Sequence, residues 1–108
     1  MNLLVVGAGE MGRWLADTVD ADVAFTDADP AVAEAAAEPR SARAVPTDTG
    51  ESFDAVGLAV PMSVVEAAVT DYAANAEAAI FDISGVMDRP LAAKADHATE
   101  VERASFHP

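Results

Sequence analysis

The 108-residue sequence predicts an α/β fold: a doubly wound parallel sheet of about six strands in the order 3-2-1-4-5-6. Three observations lead there. Short apolar runs alternate with stretches whose apolar residues recur at helical spacing. The first run leads directly into a glycine-rich turn, VVGAGEMGRWLA at residues 5–16. The run AVGLAV at residues 55–60 is apolar nearly throughout, as a parallel strand buried on both faces requires. Right-handed crossovers then select the strand order.

Taken in order, residues 3–6 form the first strand and end at Gly7. From residue 10 to 19 the apolar positions Met11, Trp14, Leu15 and Val19 keep helical spacing. Residues 22–26 give a second strand with Val23 and Phe25 as its apolar positions. Asp29 and Pro30 are the cap and first-turn residues of an alanine-rich helix that Pro39 ends. Residues 43–45 form a short third strand, and residues 47–52 a polar turn. After the fourth strand at 55–60, Pro61 stops it, and residues 63–74 read as a helix. A fifth strand at 78–83, AAIFDI, a short helix near 89–95 and a sixth strand at 101–106 complete the pattern. There is no internal repeat and no linker, so residues 1–108 are read as one domain.

Composition narrows the function classes. A formal net charge of −13 sets the chain against nucleic acid, whose phosphates would meet a like-charged surface. No cysteine is present, and two histidines are too few for a histidine-rich metal site, so no metal is assigned. No basic and apolar leader opens the sequence, and no apolar stretch approaches the ~20 residues that span a bilayer. The expectation is a soluble cytoplasmic protein with no membrane partner. Lys94 is the only lysine and alanine is abundant, which suits a halophilic, carboxylate-rich surface.

Gly7, Gly9 and Gly12 make G-x-G-x-x-G, after a strand and at the start of a helix. That is the Rossmann-type context for a dinucleotide. Gly7 permits the tight turn, Gly9 lets a pyrophosphate approach the backbone, and Gly12 lets helix and strand pack closely. The backbone at Glu10 and Met11 faces the same anion. Asp27 ends the second strand 20 residues beyond Gly7, where an acid takes the ribose hydroxyls. A carboxylate there repels a 2′-phosphate, so NAD is preferred to NADP. Arg13 reads as an exposed helix arginine and Trp14 as a core or interface residue; neither is given a functional role.

The string GAGEMGRWLA resembles the start of the prephenate and arogenate dehydrogenases. Three later pieces agree in order: LAVPMSVVEAAV (58–69), FDISGVM (81–87) and SFHP (105–108). The resemblance covers nearly all of this chain and only the family's nucleotide-binding half. It implies NAD-dependent oxidative decarboxylation of prephenate, or the corresponding reaction of arogenate, in tyrosine biosynthesis. It implies that Val60 and Pro61 border the cofactor and that His107 accepts the proton of the ring hydroxyl. It also implies a following helical domain, absent here, that would build the substrate pocket and the contacts of a homodimer. The chain departs from the family pattern after Asp82: the family's serine falls on Gly85 and its lysine on Met87. Ser84, one residue early, is carried as the substitute hydroxyl.

A non-catalytic alternative is a nucleotide-sensing domain like those that regulate potassium channels and transporters. FTDADP at residues 25–30 resembles the Asp-x-Asp-Pro segment of those domains, but VPTDTG at 45–50 lacks their Gly-Asp step. The charge reading carries its own test. At ~1 M salt the screening length falls to about 3 Å, relieving self-repulsion, so the melting temperature climbs steeply with added KCl. A flat response refutes the halophilic reading.

Overall fold

The structure, a computed structural model, describes residues 1–83 and the backbone of the strand at 103–105. Six parallel strands form one sheet: β1 (Asn2–Val6), β2 (Asp22–Thr26), β3 (Arg43–Ala44), β4 (Phe53–Leu58), β5 (Ala76–Asp82) and β6 (Arg103–Ser105). Their order is β3-β2-β1-β4-β5-β6, the order expected from the sequence. Three helices are described: α1 (Glu10–Thr18), α2 (Pro30–Ala37) and α3 (Val65–Tyr72). The short helix expected near 89–95 lies outside the described residues.

Alternation along the strands divides the core into two layers. Leu3 and Val5 of β1 and Phe25 of β2 face one side, with Leu15 of α1 and Ala33, Ala36 and Ala37 of α2. Leu4, Val6, Ala24, Val56 and Leu58 face the other, with Val65, Ala68 and Tyr72 of α3. The buried face of α2 is all alanine, so this helix meets the sheet through small side chains. Asp29 caps α2 by accepting the Ala31 N–H at 3.1 Å, with Pro30 in the first turn, as its sequence signals require.

Several element ends differ from the sequence reading. β4 begins at Phe53 rather than at residue 55, because Phe53 is buried and pairs with Ala76. It ends at Leu58, which leaves Val60 and Pro61 in the loop beyond the strand. The predicted helix at 63–74 is α3 flanked by 3-10 turns at Met62–Val64 and Ala73–Asn75. Pro39 sits inside a 3-10 turn, Glu38–Arg40, that extends the end of α2. Ser41, with φ at 54°, closes that turn, and Ala42 N–H reaches back to Ala37 O at 3.0 Å.

Two polar devices hold the connections. The amide of buried Asn75 donates to Thr49 O at 3.0 Å and to Glu51 O at 2.8 Å, fixing the β3–β4 crossover to the end of α3. Arg40 joins the α2 end to α1 through Asp17, at 2.8 and 3.0 Å, and also donates to Ala36 O. That guanidinium, through its hydrogen bonds, holds the Asp17 carboxyl below its ordinary value. The pair is solvent-exposed and contributes little to stability. Among the described residues no helix is long and apolar enough to cross a membrane.

Candidate functional site at the strand ends

The carboxyl ends of β1, β2 and β4 converge where the glycine turn leaves the sheet. Gly7 has φ at +99°, a conformation that L side chains rarely adopt. Its N–H donates to Thr26 O at 2.8 Å, which ties the turn to the end of β2. A Cβ on Gly7 would collide with the Ala59 carbonyl oxygen, so β4 closes the other side. The Gly12 position is equally tight. A Cβ there would collide with the Gly7 carbonyl oxygen and would stand 3.2 Å from a Val5 methyl. Two of the three glycines are therefore required by packing alone.

Gly9 is different. It adopts extended backbone, φ −80° and ψ −156°, which any residue can take. A Cβ on it would meet nothing within 4 Å. It is also the N-cap of α1, where serine, threonine, aspartate or asparagine would accept an orphan N–H. The first bond of α1 runs from Arg13 N–H to Gly9 O at 3.0 Å. The N–H groups of Glu10, Met11 and Gly12 therefore precede the helical ladder, and Gly9 has no side chain to accept them. These donors lie at the positive end of a helix dipole, an arrangement suited to an anion.

Glu10 is exposed and Met11 half-buried against the core. The Arg13 side chain folds back to donate to Gly9 O at 3.2 Å, at the edge of the turn. Asp27 stands opposite, half-buried, with both carboxylate oxygens engaged. One accepts the Ala8 N–H at 2.8 Å and the other the Asp29 N–H at 2.9 Å. Val60 is half-buried, 3.4 Å from where a Gly7 Cβ would be; Pro61 follows, exposed.

A small cavity of about 250 Å³ opens beside Asp27, between the start of α2 and the end of β3. Glu34, Val45 and Pro46 also line it. Sequence reasoning did not single out Glu34. The available signal was its place on the second turn of the helix that Asp29 caps. Larger hollows elsewhere, including one of about 690 Å³ bordered by Arg40 and Arg43, lie away from the glycine turn. Among the described residues no group of three or more His, Cys, Asp or Glu side chains is arranged for a metal ion.

The structure thus brings together Gly7, Gly9, Glu10, Met11, Gly12, Asp27 and Val60 around one turn, with Pro61 next in the chain after Val60. Ser84 and His107 lie outside the described residues. Pairing of Asp82 with Ser105 sets β6 beside the end of β5.

No family model and no curated protein matches the sequence. Solved structures do. The myo-inositol dehydrogenase of Lactobacillus casei, in complex with NAD(H) and myo-inositol, is 24% identical with a TM-score of 0.66. That match covers 96% of this chain and 35% of the other. GenD2 from gentamicin A biosynthesis, in complex with NAD, is 25% identical with a TM-score of 0.63, over 97% of this chain and 34% of that one. Prephenate dehydrogenase from A. aeolicus, in complex with hydroxyphenyl propionate and NAD+, is 18% identical with a TM-score of 0.57, over 75% and 32%. The chain has the nucleotide-binding fold of dehydrogenases, and it spans about a third of the length of each of these three.

The contrast between glycines is measurable by chemical denaturation. Gly12→Ala costs about 1–3 kcal/mol or more, because the methyl must displace backbone. Gly9→Ser leaves stability unchanged or raises it, since serine is a good N-cap. Equal losses at both positions would contradict the packing described.

Proposed function

We propose that this chain binds NAD and forms the cofactor-binding part of a dehydrogenase. The observation that carries this reading is Gly9, a glycine that neither backbone conformation nor packing requires, at a helix end left without a side-chain cap. A pyrophosphate seated on the N–H groups of Glu10, Met11 and Gly12 explains both the missing cap and the space kept above it. Asp27, with about two acceptor sites beyond the two in use, takes the ribose hydroxyls. Asp27 and Glu34 share the cavity beside that position, and their charge opposes a 2′-phosphate. Val60 and Pro61 border the cofactor from the β4 side.

The finer reading is a prephenate dehydrogenase-like activity, with arogenate as the other substrate of the same kind. The four sequence pieces that resemble the family support it, as does the likeness to the A. aeolicus enzyme. NAD supplies a hydride acceptor for the ring carbon that bears the hydroxyl, as carbon dioxide departs and the ring becomes aromatic. In this reading His107 accepts the hydroxyl proton as the carbonyl develops, a task suited to a base whose ordinary pKa lies near neutrality. Ser84 is the substitute for the family's hydroxyl group. In this reading the substrate pocket and any homodimer contacts are the work of a helical domain of the kind the family resemblance implies.

Calorimetry in molar KCl tests cofactor binding. NAD binds and NADP binds more weakly, and Gly9→Val abolishes binding while the chain stays folded, with a melting temperature lowered only by the poorer N-cap. No heat with millimolar NAD or NADH overturns the proposal; tighter NADP binding overturns the assignment of the acids. The 108-residue chain turns over little or no prephenate. In a longer chain carrying the helical domain, His107→Ala removes most turnover and leaves NAD affinity nearly intact. An active His107→Ala variant refutes the catalytic assignment.

A further inference from the structure

We infer that Asp27 is a positioning residue for the phosphate-binding turn itself, in addition to its place beside the ribose. For its ligand this inference rests on the dinucleotide reading above; for its geometry it rests on two hydrogen bonds. The bond from Asp29 N–H to Oδ1 spans two residues and is an ordinary local turn made by an aspartate. The bond from Ala8 N–H to Oδ2 is different, joining positions 19 apart in sequence across two strands. Ala8 is 2% exposed and lies between the first two glycines of the turn. Its N–H is a donor turned away from water, and the Asp27 carboxylate is its acceptor at 2.8 Å.

The neighbouring bond from Gly7 N–H to Thr26 O runs in the same direction, from the turn to the end of β2. Consecutive amides of the turn are thus held by the last residue of β2 and the residue after it, first by a backbone carbonyl and then by a charged side chain. Remove the carboxylate and the turn keeps only the first of these anchors. Ala8 then has a buried N–H without an acceptor, and the chain escapes by rotating that peptide toward solvent. The rotation moves Gly9 and the opening of α1, where the anion is received.

An amide cannot substitute. A carboxylate is acceptor-only at both oxygens, whereas asparagine presents one oxygen and one NH2. Asp27→Asn therefore faces an N–H donor with another donor at either Ala8 or Asp29. The consequence reaches cofactor selectivity. Exchanging this acid for a small neutral residue removes the obstacle to a 2′-phosphate but also releases the pyrophosphate turn. Affinity then falls for NAD and NADP together.

A ligand lacking the ribose diol separates the two roles. Binding of ADP and of 2′,3′-dideoxy-ADP is measured by calorimetry for the full chain and for Asp27→Asn. If Asp27 acts only on the diol, the substitution leaves dideoxy-ADP affinity unchanged; a positioning role predicts a loss of about tenfold, or ~1.4 kcal/mol, for that ligand too. In parallel, amide hydrogen exchange in the ligand-free protein is followed at Ala8. Exchange there accelerates at least tenfold in Asp27→Asn, while Leu4 and Val5 within β1 are unaffected. Asp27→Ser, shorter and neutral, gives the same pattern and is the second variant should Asp27→Asn fold poorly. Unchanged exchange at Ala8, or unchanged dideoxy-ADP affinity, overturns the inference. If the native chain binds neither ADP nor NAD, the dinucleotide reading fails, and exchange at Ala8 alone decides whether Asp27 holds the turn.

Discussion

The approach of Gly12 to the Gly7 carbonyl is the contact on which the geometry of this molecule depends. It involves no side chain on either partner, and the space is too small for one. By bringing the first turn of α1 against the end of β1, it sets the direction in which the helix leaves the sheet. That direction aims the leading N–H groups of α1 outward over the strand ends. It also presses Leu15 into the core, fully buried beside Leu3 and Val5. The helix, one core layer and the receiving end of the site thus follow from a single backbone-on-backbone contact. A larger residue at either glycine would disturb all three together.

Much of this was legible from residue types. Strand order follows from apolar runs with helical spacing between them, and chirality leaves few ways to wind such a chain. The α2 cap was readable because aspartate followed by proline has a mechanism, not only a frequency. The three glycines were legible as a motif and as three separate tasks: a tight turn at Gly7, the approach of a ligand at Gly9 and close packing at Gly12. What spacing does not show is which atoms stand in the way: a Cβ on Gly7 or Gly12 would strike backbone, while one on Gly9 would meet nothing within 4 Å. Asp27 was readable as an acid at a strand end. Its bond with Asp29 is local, but its bond with Ala8 joins positions 19 apart, which no local pattern encodes. Element ends were least legible: the start of β4 is decided by Phe53 finding cover and by its pairing with Ala76.

The similarity to dehydrogenases has a definite extent. It reaches across 96% of this chain in one case, yet that span is 35% of the matched enzyme. The glycine turn and Asp27 belong to the shared part. Asp27 and Glu34 share the lining of one small cavity, while among the other described carboxylates Asp82 is buried and Asp17 and Glu51 pair with Arg40 and Arg43.

The inner face of α2 has a different kind of consequence. Ala33, Ala36 and Ala37 are 2–4% exposed and already carry the smallest side chain that favours a helix. Such a face has no large group to lose, so mutation there damages chiefly by enlargement, with glycine's poorer helix propensity the one cost of truncation. Most protein interiors erode through truncation and are repaired by refilling. Here the tolerated neighbours of the sequence at these three positions shrink to almost none, while the outward positions Ala31, Val32 and Ala35 remain free to vary. Over generations, this helix would record its packing constraint as a fixed stripe of alanine beside a drifting one.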